Sequence, residues 1–462
     1  METIVRLTSL HIEKIKNVKN GQIVMPGVYR KQLLNKQAEV LGLYGQNGSG
    51  KTAVIDTLYY LQKIMVGDSL DEELADYIDV QEEQAEISAG FSVFEESVFY
   101  EVGYRLLLQR KDKGAEIARE TLSCAVHKGD NKSNKTVFMD YKRQEHELIF
   151  TPQKRLDEAA EGSKEIKMDL IVAKKMAEKS NCSYIFGESS REIFCRDYSN
   201  SFRQYSRVIQ ALFQFAVKDL FVIRNTHSGM ISANFFLPMA FKIEQNKMGM
   251  KGDFAISLTE PVVLQEERKN ILEIIVEQIN IVLSTIIPGM KIAVFDYGMQ
   301  MTDSGKKGYK IELLSVREGI SPIPIRMESE GIIKIISILN ALIQAFGNPS
   351  ICLVIDELDA GIFEYMLGEL LDIFEKNAKG QLIFTSHNLR ALEMLDKDSI
   401  MFSTANPNRR YIHMKNIKSS NNLRDVYIRG ITLGGQDEII YEETDSLKIA
   451  RAFRKAGRRI QG

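Results

Sequence analysis

The first 45 residues alternate between apolar and polar positions. The stretches RLTSLHI and GQIVM repeat every second residue, and AEVLGLYG is a short apolar run that ends in glycine. Alternation is typical of half-buried strands, and a short apolar run is typical of a buried strand entering a loop. A helical repeat follows, with one apolar stripe formed by Val54, Ile55, Leu58, Leu61 and Ile64. The pattern predicts strands up to residue 45 and a helix from 52 to about 65.

The middle of the chain changes period twice. Residues 85–150 alternate again, with polar turns such as KGDNKSNK between the runs, which predicts an antiparallel meander. Residues 154–288 show a mostly helical pattern, and 200–222 is its clearest amphipathic segment. Short strands are predicted to return at KIAVFDYG, YKIELLSV and ISPIPIRM.

The last third alternates between helical repeats and short apolar runs. It predicts helices over 331–346, 363–377 and 388–395, and strands over 351–355, 381–385 and 399–402. Strands that alternate with helices form parallel βαβ units. The predicted fold class is therefore α/β: one core made from the first 65 and the last 140 residues, with an antiparallel β meander and a mostly helical insertion between them.

Composition narrows the class of protein. The chain has 462 residues, of which 44% are hydrophobic and 26% charged, which is typical of a globular protein of up to about three domains. The 60 basic and 62 acidic residues give a formal charge of −2, so nucleic-acid binding would have to be local. Four cysteines without a CxxC pair and the lack of a long uninterrupted apolar stretch favour a reduced, cytoplasmic protein without a membrane span.

A phosphate-binding motif lies where the first buried strand gives way to the helix. The eight residues GQNGSGKT fit GxxxxGK[ST], and their candidate ATP-binding members are Gly45, Asn47, Gly48, Ser49, Gly50, Lys51 and Thr52. Glycines let main-chain N–H groups surround phosphate oxygens at a helix N-terminus. Lys51 is expected to reach the β and γ phosphates, and Thr52 to bind Mg²⁺.

A pair of acidic residues ends the apolar run ICLVI. A buried strand delivers such residues to the C-terminal edge of its sheet, so Asp356 and Glu357 are expected near the phosphate loop. Asp356 is predicted to hold the Mg²⁺ and Glu357 to polarise the attacking water.

About 300 residues separate Gly45 from Asp356. This spacing resembles the split heads of ABC-type ATPases of the SMC, RecF and OLD group. RMESEGI, with Ser329 located 27 residues before Asp356, resembles their signature motif, and Ser329 is placed to cap a helix. The resemblance implies that Ser329 and Gly331 contact the γ-phosphate held by a second subunit.

Two further segments resemble motifs of the same group. Leu358-Asp359-Ala360 resembles the D-loop, which implies that Asp359 contacts the partner subunit. FTSHN resembles the switch loop, which implies a catalytic role for His387, 30 residues after Glu357. The glutamine loop is not placed by the sequence.

The rest of the chain separates branches of the group. No long heptad run is present, as the coiled-coil branches require. Asp396-Lys397-Asp398 spells the DxD of OLD-type nucleases, but no further α/β domain follows, so a turn is predicted there. The tail from 422, with a basic helix, resembles stand-alone AAA15 or AbiL-like ATPases of bacterial antiphage defence, including the ATPase subunit of PARIS-type systems.

These resemblances imply four regions. They are an N-terminal half-head with the meander (1–125), a β-hairpin and helical insertion (126–310), a C-terminal half-head (311–405) and a tail (406–462). The implied function is an ATPase switch that works as a homodimer of heads, or a higher homo-oligomer, and controls a separate effector, a nuclease, in response to a phage product. A RecF-like DNA-binding repair protein is the alternative. The basic helix is open to three interpretations: a solvated face, a nucleic-acid contact or a protein contact.

Overall fold

The structure is a computed structural model that describes residues 3–29, 37–95, 98–128, 131–145, 147–226, 229, 236–245, 248–301, 305–415 and 422–460. Its strands are β1 (Ile4–Ile15), β2 (Val18–Val24), β3 (Glu39–Tyr44), β4 (Gln84–Glu95), β5 (Val98–Arg110), β6 (Ala115–Lys128), β7 (Asn131–Lys132), β8 (Thr136–Lys142), β9 (Leu220–Ile223), β10 (Phe236–Gln245), β11 (Met248–Ser257), β12 (Val262–Leu264), β13 (Met290–Met301), β14 (Lys307–Arg317), β15 (Ile320–Pro324), β16 (Cys352–Ile355), β17 (Gln381–Thr385), β18 (Ile400–Ser403) and β19 (Tyr411–Ile412). The α-helices are α1 (Pro26–Tyr29), α2 (Lys51–Val66), α3 (Leu74–Tyr77), α4 (Gln153–Ala160), α5 (Lys164–Ser180), α6 (Glu188–Phe194), α7 (Arg203–Gln214), α8 (Glu266–Ile286), α9 (Glu330–Gly347), α10 (Glu364–Asn377), α11 (Ala391–Met394), α12 (Leu423–Leu433) and α13 (Ser446–Ile460).

The central sheet has six strands in the order β19-β18-β3-β17-β16-β9, of which all but β19 are parallel. Both of its faces are covered. Leu41 and Val354 point into the core that contains α2, whereas Val40 and Leu353 point into the core that contains α9 and α10. Burial on both faces explains why these strands are continuous apolar runs rather than alternating ones. The predicted α/β class is confirmed.

An antiparallel sheet packs against the other side of α2. Its strands run β2-β1-β4-β5-β6, and β7 and β8 both pair with β6. The predicted meander is confirmed, and β1 and β2 extend it rather than the central sheet. Helices α4 to α7 share its apolar core, which includes Phe138, Tyr184 and Leu212.

A third core lies between α8, one face of α9 and the strands β10 to β14. Strands β12, β13 and β15 each pair with β14, and β10 and β11 form a hairpin. The strands predicted at KIAVFDYG and YKIELLSV are confirmed as β13 and β14. The strand predicted at ISPIPIRM is found over its first five residues as β15, whereas Ile325–Met327 forms a 3-10 turn.

The helical interpretation of 154–288 is wrong at two places. The amphipathic segment 200–222 is helical only as α7, continues as a π-helical turn at Phe215–Asp219 and ends as β9, which joins the central sheet beside β16. Strands β10, β11 and β12 also fall within the predicted helical region 154–288. Short apolar runs such as LFVI fit a helix or a strand equally well, and the pairing with β16 decides between them.

One helix among the described residues, α9, has the length and apolar composition of a membrane span, and 67% of it is buried inside the protein. That burial identifies it as a core helix, which packs against the central sheet and the third core.

Candidate nucleotide site

The C-terminal ends of three neighbouring parallel strands carry the predicted site residues. The phosphate loop follows β3, Asp356 and Glu357 follow β16, and His387 follows β17, which lies between the other two strands. Loops after parallel strands meet at one edge of a sheet, where ligands bind in open α/β folds. The sheet order therefore brings together residues that are about 340 positions apart in the sequence, between Gly45 and His387.

The glycines of the phosphate loop adopt conformations that other residues avoid. Gly45, Gly48 and Gly50 have φ angles of 150°, 77° and 87°. A β-carbon at Gly45 would also lie 2.0 Å from Ser403 Oγ, so the loop passes directly against the end of β18. Gly50 then begins α2 without a side-chain cap. The Ala53 N–H donates to the Gly50 oxygen at 3.1 Å, and the N–H groups that precede it at this helix N-terminus are placed to bind an anion.

Two residues outside the motif donate hydrogen bonds to main-chain oxygens of the loop, and the sequence analysis missed both. The side-chain amide of Asn17 donates to the main-chain oxygen of Gly48. Tyr411 Oη donates to the main-chain oxygen of Gly50 at 2.6 Å. No local pattern could have revealed these contacts because the partners lie 31 and 361 residues apart.

The C-terminal segment also reaches the loop, through Gln46. The Gln46 Oε1 atom accepts the Glu442 N–H at 3.0 Å, and Gln46 Nε2 donates to the Glu442 oxygen at 3.4 Å. Ile440 is buried beneath this contact, in the apolar core of the central sheet. The exposed basic helix α13 begins four residues after Glu442, so the tail is anchored next to the phosphate loop.

Lys51 closes over the loop. Its side chain is 7% exposed, and Nζ donates to the main-chain oxygens of Gly45 at 2.8 Å and Gln46 at 3.1 Å. Burial lowers the pKa of Lys51, and the carboxylates of Asp356 and Glu357 oppose that shift. The lysine and the acidic pair therefore share one electrostatic environment, as predicted for groups around a phosphate.

Asp356 has the features of a cation ligand. It is 2% exposed, and its Oδ1 accepts a hydrogen bond from Thr385 Oγ1 at 2.6 Å. Its buried Oδ2 has no hydrogen-bond partner among the described residues. An unpaired buried carboxylate oxygen is costly unless a cation or another donor satisfies it. The donor set of Asp356 and the exposed Thr52 hydroxyl thus fits Mg²⁺, a hard ion that prefers oxygen ligands.

Glu357 stands in a strained conformation. Its φ of 49° lies in the left-handed region, which is unfavourable for a residue with a β-carbon. Hydrogen bonds hold both sides of the residue: its N–H donates to Thr385 Oγ1 at 2.7 Å, and its main-chain oxygen accepts from Lys334 Nζ. Such strain persists where the surroundings enforce it and is frequent at functional sites.

His387 is tied to the predicted D-loop within the same chain. Its main-chain N–H donates to Asp359 Oδ2 at 3.0 Å. The imidazole keeps an exposed surface, yet desolvation lowers its pKa, the positive Lys51 lowers the pKa further, and Asp359 opposes both effects. The imidazole thus belongs to the same cluster of charges as the phosphate loop.

The predicted signature residues begin α9. Ser329 caps this helix, because its Oγ accepts the Ile332 N–H at 3.4 Å, and the side chain is exposed. Gly331 packs directly against the D-loop: a β-carbon there would lie 1.9 Å from the main-chain oxygen of Gly361. The glycine is thus required by this close contact within the chain, and contact with a second subunit stays a prediction.

The end of β9 lies beside the candidate site, a position that the sequence did not indicate. The Asp356 N–H donates to the Ile223 oxygen at 2.9 Å, so β9 ends directly beside the candidate cation ligand. The next residue, Arg224, pairs with the buried Asp56 of α2 at 2.9 Å.

The sequence matches no protein-family model and no curated protein. Similar solved structures include the Smc head bound to the C-terminal winged-helix domain of ScpA (12% identity, 88% of this chain and 96% of that chain covered, TM-score 0.40). Others are the Smc head with an extended coiled coil bound to the C-terminal domain of ScpA, from Pyrococcus furiosus (14%, 88% and 96%, 0.41), and the SMC head domain from Thermotoga maritima (12%, 89% and 100%, 0.37). The α/β assignment rests on the strand order and on the loop geometry described above.

Proposed function

We propose that this chain is an ATP-binding and ATP-hydrolysing head of ABC type. The observation that carries the proposal is the meeting, at one sheet edge, of an uncapped helix N-terminus behind a glycine loop with a buried aspartate whose Oδ2 is unpaired among the described residues. The first feature suits phosphate oxygens, and the second suits the cation that accompanies them.

Each residue has a role in this scheme. The loop amides and Lys51 bind the β and γ phosphates, and Thr52 and Asp356 hold Mg²⁺, which neutralises phosphate charge when bound. Glu357 accepts a proton from, or polarises, the water that attacks the γ-phosphate. His387 contributes a hydrogen bond near the same phosphate, and Ser329 completes the site of a second copy.

The test is an ATPase assay on the purified chain with Mg²⁺. Hydrolysis that requires Mg²⁺ and disappears in Glu357→Gln, while ATP still binds, supports the proposal. ATP binding that is unchanged in Lys51→Ala contradicts it.

Within this class, we infer a switch that controls a separate effector, a nuclease, in antiphage defence, with a phage product as the trigger. The sequence of the tail, NLRDVYIRGITLGG followed by a basic helix, supports this assignment. The lack of a nuclease site among the described residues also supports it. Asp396 is the N-cap of a 3-10 turn, Lys397–Ser399, that contains Asp398 and precedes β18, as predicted for a plain turn. Among the described residues, the one cluster of metal-ligand type joins His11, Glu13 and Glu86, and Glu86 is already paired with Arg105.

The tail helix is the output surface in this scheme. Residues 446–462 contain six lysines and arginines and no acidic residue. Phe453 of α13 is 76% exposed and Ile449, one turn earlier, is 44% exposed. A basic helix with an apolar stripe suits an acidic groove on a partner protein, because nucleic-acid backbones leave such a stripe uncovered.

The same helix supports the alternative function, a RecF-like ATP-dependent DNA clamp. DNA binding that weakens steeply with salt and is lost when the arginines of α13 are replaced would favour the clamp. Purification of Glu357→Gln with ATP from native cells tests the switch: a co-purified nuclease that Lys51→Ala does not retain supports it. Cleavage of DNA or RNA by the isolated chain, abolished by Asp396→Ala or Asp398→Ala without loss of ATPase activity, would overturn it.

The location proposed for either function is the cytoplasm, with no membrane attachment. All four cysteines are free, and two of them, Cys124 and Cys352, are buried. Unpaired cysteines suit a reducing compartment.

A further inference from the structure

A buried lysine lies between the signature helix and the acidic pair. Lys334 is on α9, one turn after Gly331, and is 5% exposed. Its immediate neighbours in the sequence are Ile333 and Ile335, which belong to the apolar third core. Its Nζ donates to the main-chain oxygen of Glu357.

A lysine is an unfavourable residue for this position. Burial lowers the pKa of Lys334, because the charged ammonium loses its water, and the carboxylates of Asp359, Glu357 and Asp356 oppose that shift. An apolar side chain of similar length would fill a helix core without this desolvation. The position therefore calls for a role that depends on the hydrogen bond or on the charge.

The hydrogen bond acts on the most strained residue of the site. Glu357 keeps a φ of 49°, and two different elements hold its backbone groups. Thr385 of β17 binds the N–H, and Lys334 of α9 binds the oxygen. Loss of either bond would let the peptide relax to a common conformation, which would move the carboxylate away from its present position.

The start of α9 is also coupled to the neighbouring loops by direct contact. Gly331 lies against the main chain of Gly361, so that α9 cannot shift without moving the D-loop. Asp359 of that loop holds the His387 N–H. A displacement of the exposed end of α9 is thus transmitted to the groups around the phosphate loop.

We propose that Lys334 is a positioning residue that couples the two ATP sites of a head dimer. The inference rests on the proposed function, in which Ser329, at the N-cap of α9, contacts the nucleotide of the second copy. When that contact seats α9, Lys334 fixes the backbone of Glu357 in the chain's own site. Each site is then fully active only when the other is engaged, which makes hydrolysis positively cooperative in ATP.

The test compares three variants of the full chain: Lys334→Met, Lys334→Arg and Lys174→Met. Lys174 is the matched control, because it is also 5% exposed and its Nζ also binds main-chain oxygens, those of Glu145 at 2.7 Å and Leu148 at 2.6 Å, but within the insertion. Rates are measured against ATP concentration, and thermal unfolding reports the folded fraction.

Lys334→Met is expected to lower kcat by about 10²-fold with little change in KM, because a small misplacement of a catalytic group has an effect of that size. Its Hill coefficient should fall from a wild-type value between about 1 and 2 to about 1. Lys334→Arg should restore part of kcat, since it keeps the donor and the charge. Lys174→Met should keep kcat, KM and the Hill coefficient of the wild type, whatever its unfolding temperature.

Three results would overturn the inference. They are wild-type kcat and cooperativity in Lys334→Met, a loss of kcat no larger than its loss of folded protein, and a wild-type enzyme that hydrolyses ATP without cooperativity. In all three the wild type remains an ATPase. Failure of the proposed function is a different outcome, in which the wild-type chain neither binds nor hydrolyses ATP.

Discussion

The two ends of the candidate ATP site differ in how much of their surroundings the chain itself provides. The phosphate loop is braced by Asn17 and Tyr411, from segments far away in the sequence. The start of α9 is exposed, and the hydrogen bond that the structure gives the Ser329 side chain stays within its own helix. Folding of the single chain therefore completes the half of the site around the phosphate loop, which we call the finished half. The start of α9 is the unfinished half, a surface to which we expect a second copy to bind.

The largest effect is expected at the finished half. Lys51→Ala should weaken ATP binding by about 10²-fold or more, because each hydrogen bond to a charged group contributes about 1.5–3 kcal/mol. Calorimetric titration with ATP and Mg²⁺ measures the loss. Lys63→Ala is the control, since Lys63 lies in the last turn of the same helix and pairs with Asp71 instead. Equal affinities for both variants would contradict the assignment of the loop.

The finished half was also the easier one to predict from the sequence. The phosphate loop, with the strand before it and the helix after it, is a local sequence pattern. The apolar run CLVI before Asp356 predicts a buried strand even when the neighbouring strands are not known. The predicted helix at 52–65 is found as α2, and the predicted strand at 381–385 as β17.

What could not be predicted depends on long-range contacts. Strand β9 is a run of four apolar residues after a helix, and only its pairing with β16 makes it a strand. Lys334 is a single lysine within the apolar stretch IIKIIS, where nothing in the pattern indicates that its ammonium faces Glu357 rather than solvent. The bracing of the loop by Tyr411 joins residues 361 positions apart.

Glu357→Gln should separate binding from hydrolysis. ATP affinity should stay near the wild-type value, because the loop and Asp356 are intact, and hydrolysis should slow by about 10²-fold or more through the loss of the general base. ATP should then hold two copies together, which size-exclusion chromatography with light scattering measures. The control is Glu364→Gln, an exposed glutamate at the start of α10. Unchanged hydrolysis and no ATP-dependent assembly would count against both roles.

Ser329→Arg tests the unfinished half. The variant should bind ATP as a monomer but hydrolyse it at least about tenfold more slowly, because the bulky charge blocks the surface that the second copy meets. Mixing it with Lys51→Ala should restore ATP-dependent assembly, since each mixed dimer pairs an intact loop with an intact Ser329.

The rate of the mixed dimers separates independent sites from coupled ones. One complete site in half of the dimers gives up to roughly a quarter of the wild-type rate when the two sites are independent, and less when they are coupled as proposed for Lys334. The unmixed proteins serve as controls. If the mixture assembles with ATP no better than its components, Ser329 does not act in the site of another copy.

The smallest effect concerns the pH dependence of His387, which belongs to the finished half. Desolvation and the positive Lys51 lower the pKa of this imidazole below the usual value of about 6.5, so it stays neutral down to a lower pH than a free histidine. The profile of kcat/KM, which reports the free enzyme, should therefore be flat above about pH 6.5 and fall on the acid side as the imidazole gains its proton.

His387→Gln should remove that acid limb, whereas His413→Gln, at another histidine whose pKa is lowered by burial, should keep it. Protonation of ATP affects all three proteins alike, so an acid limb of the same shape in His387→Gln would show that this histidine does not face the phosphate.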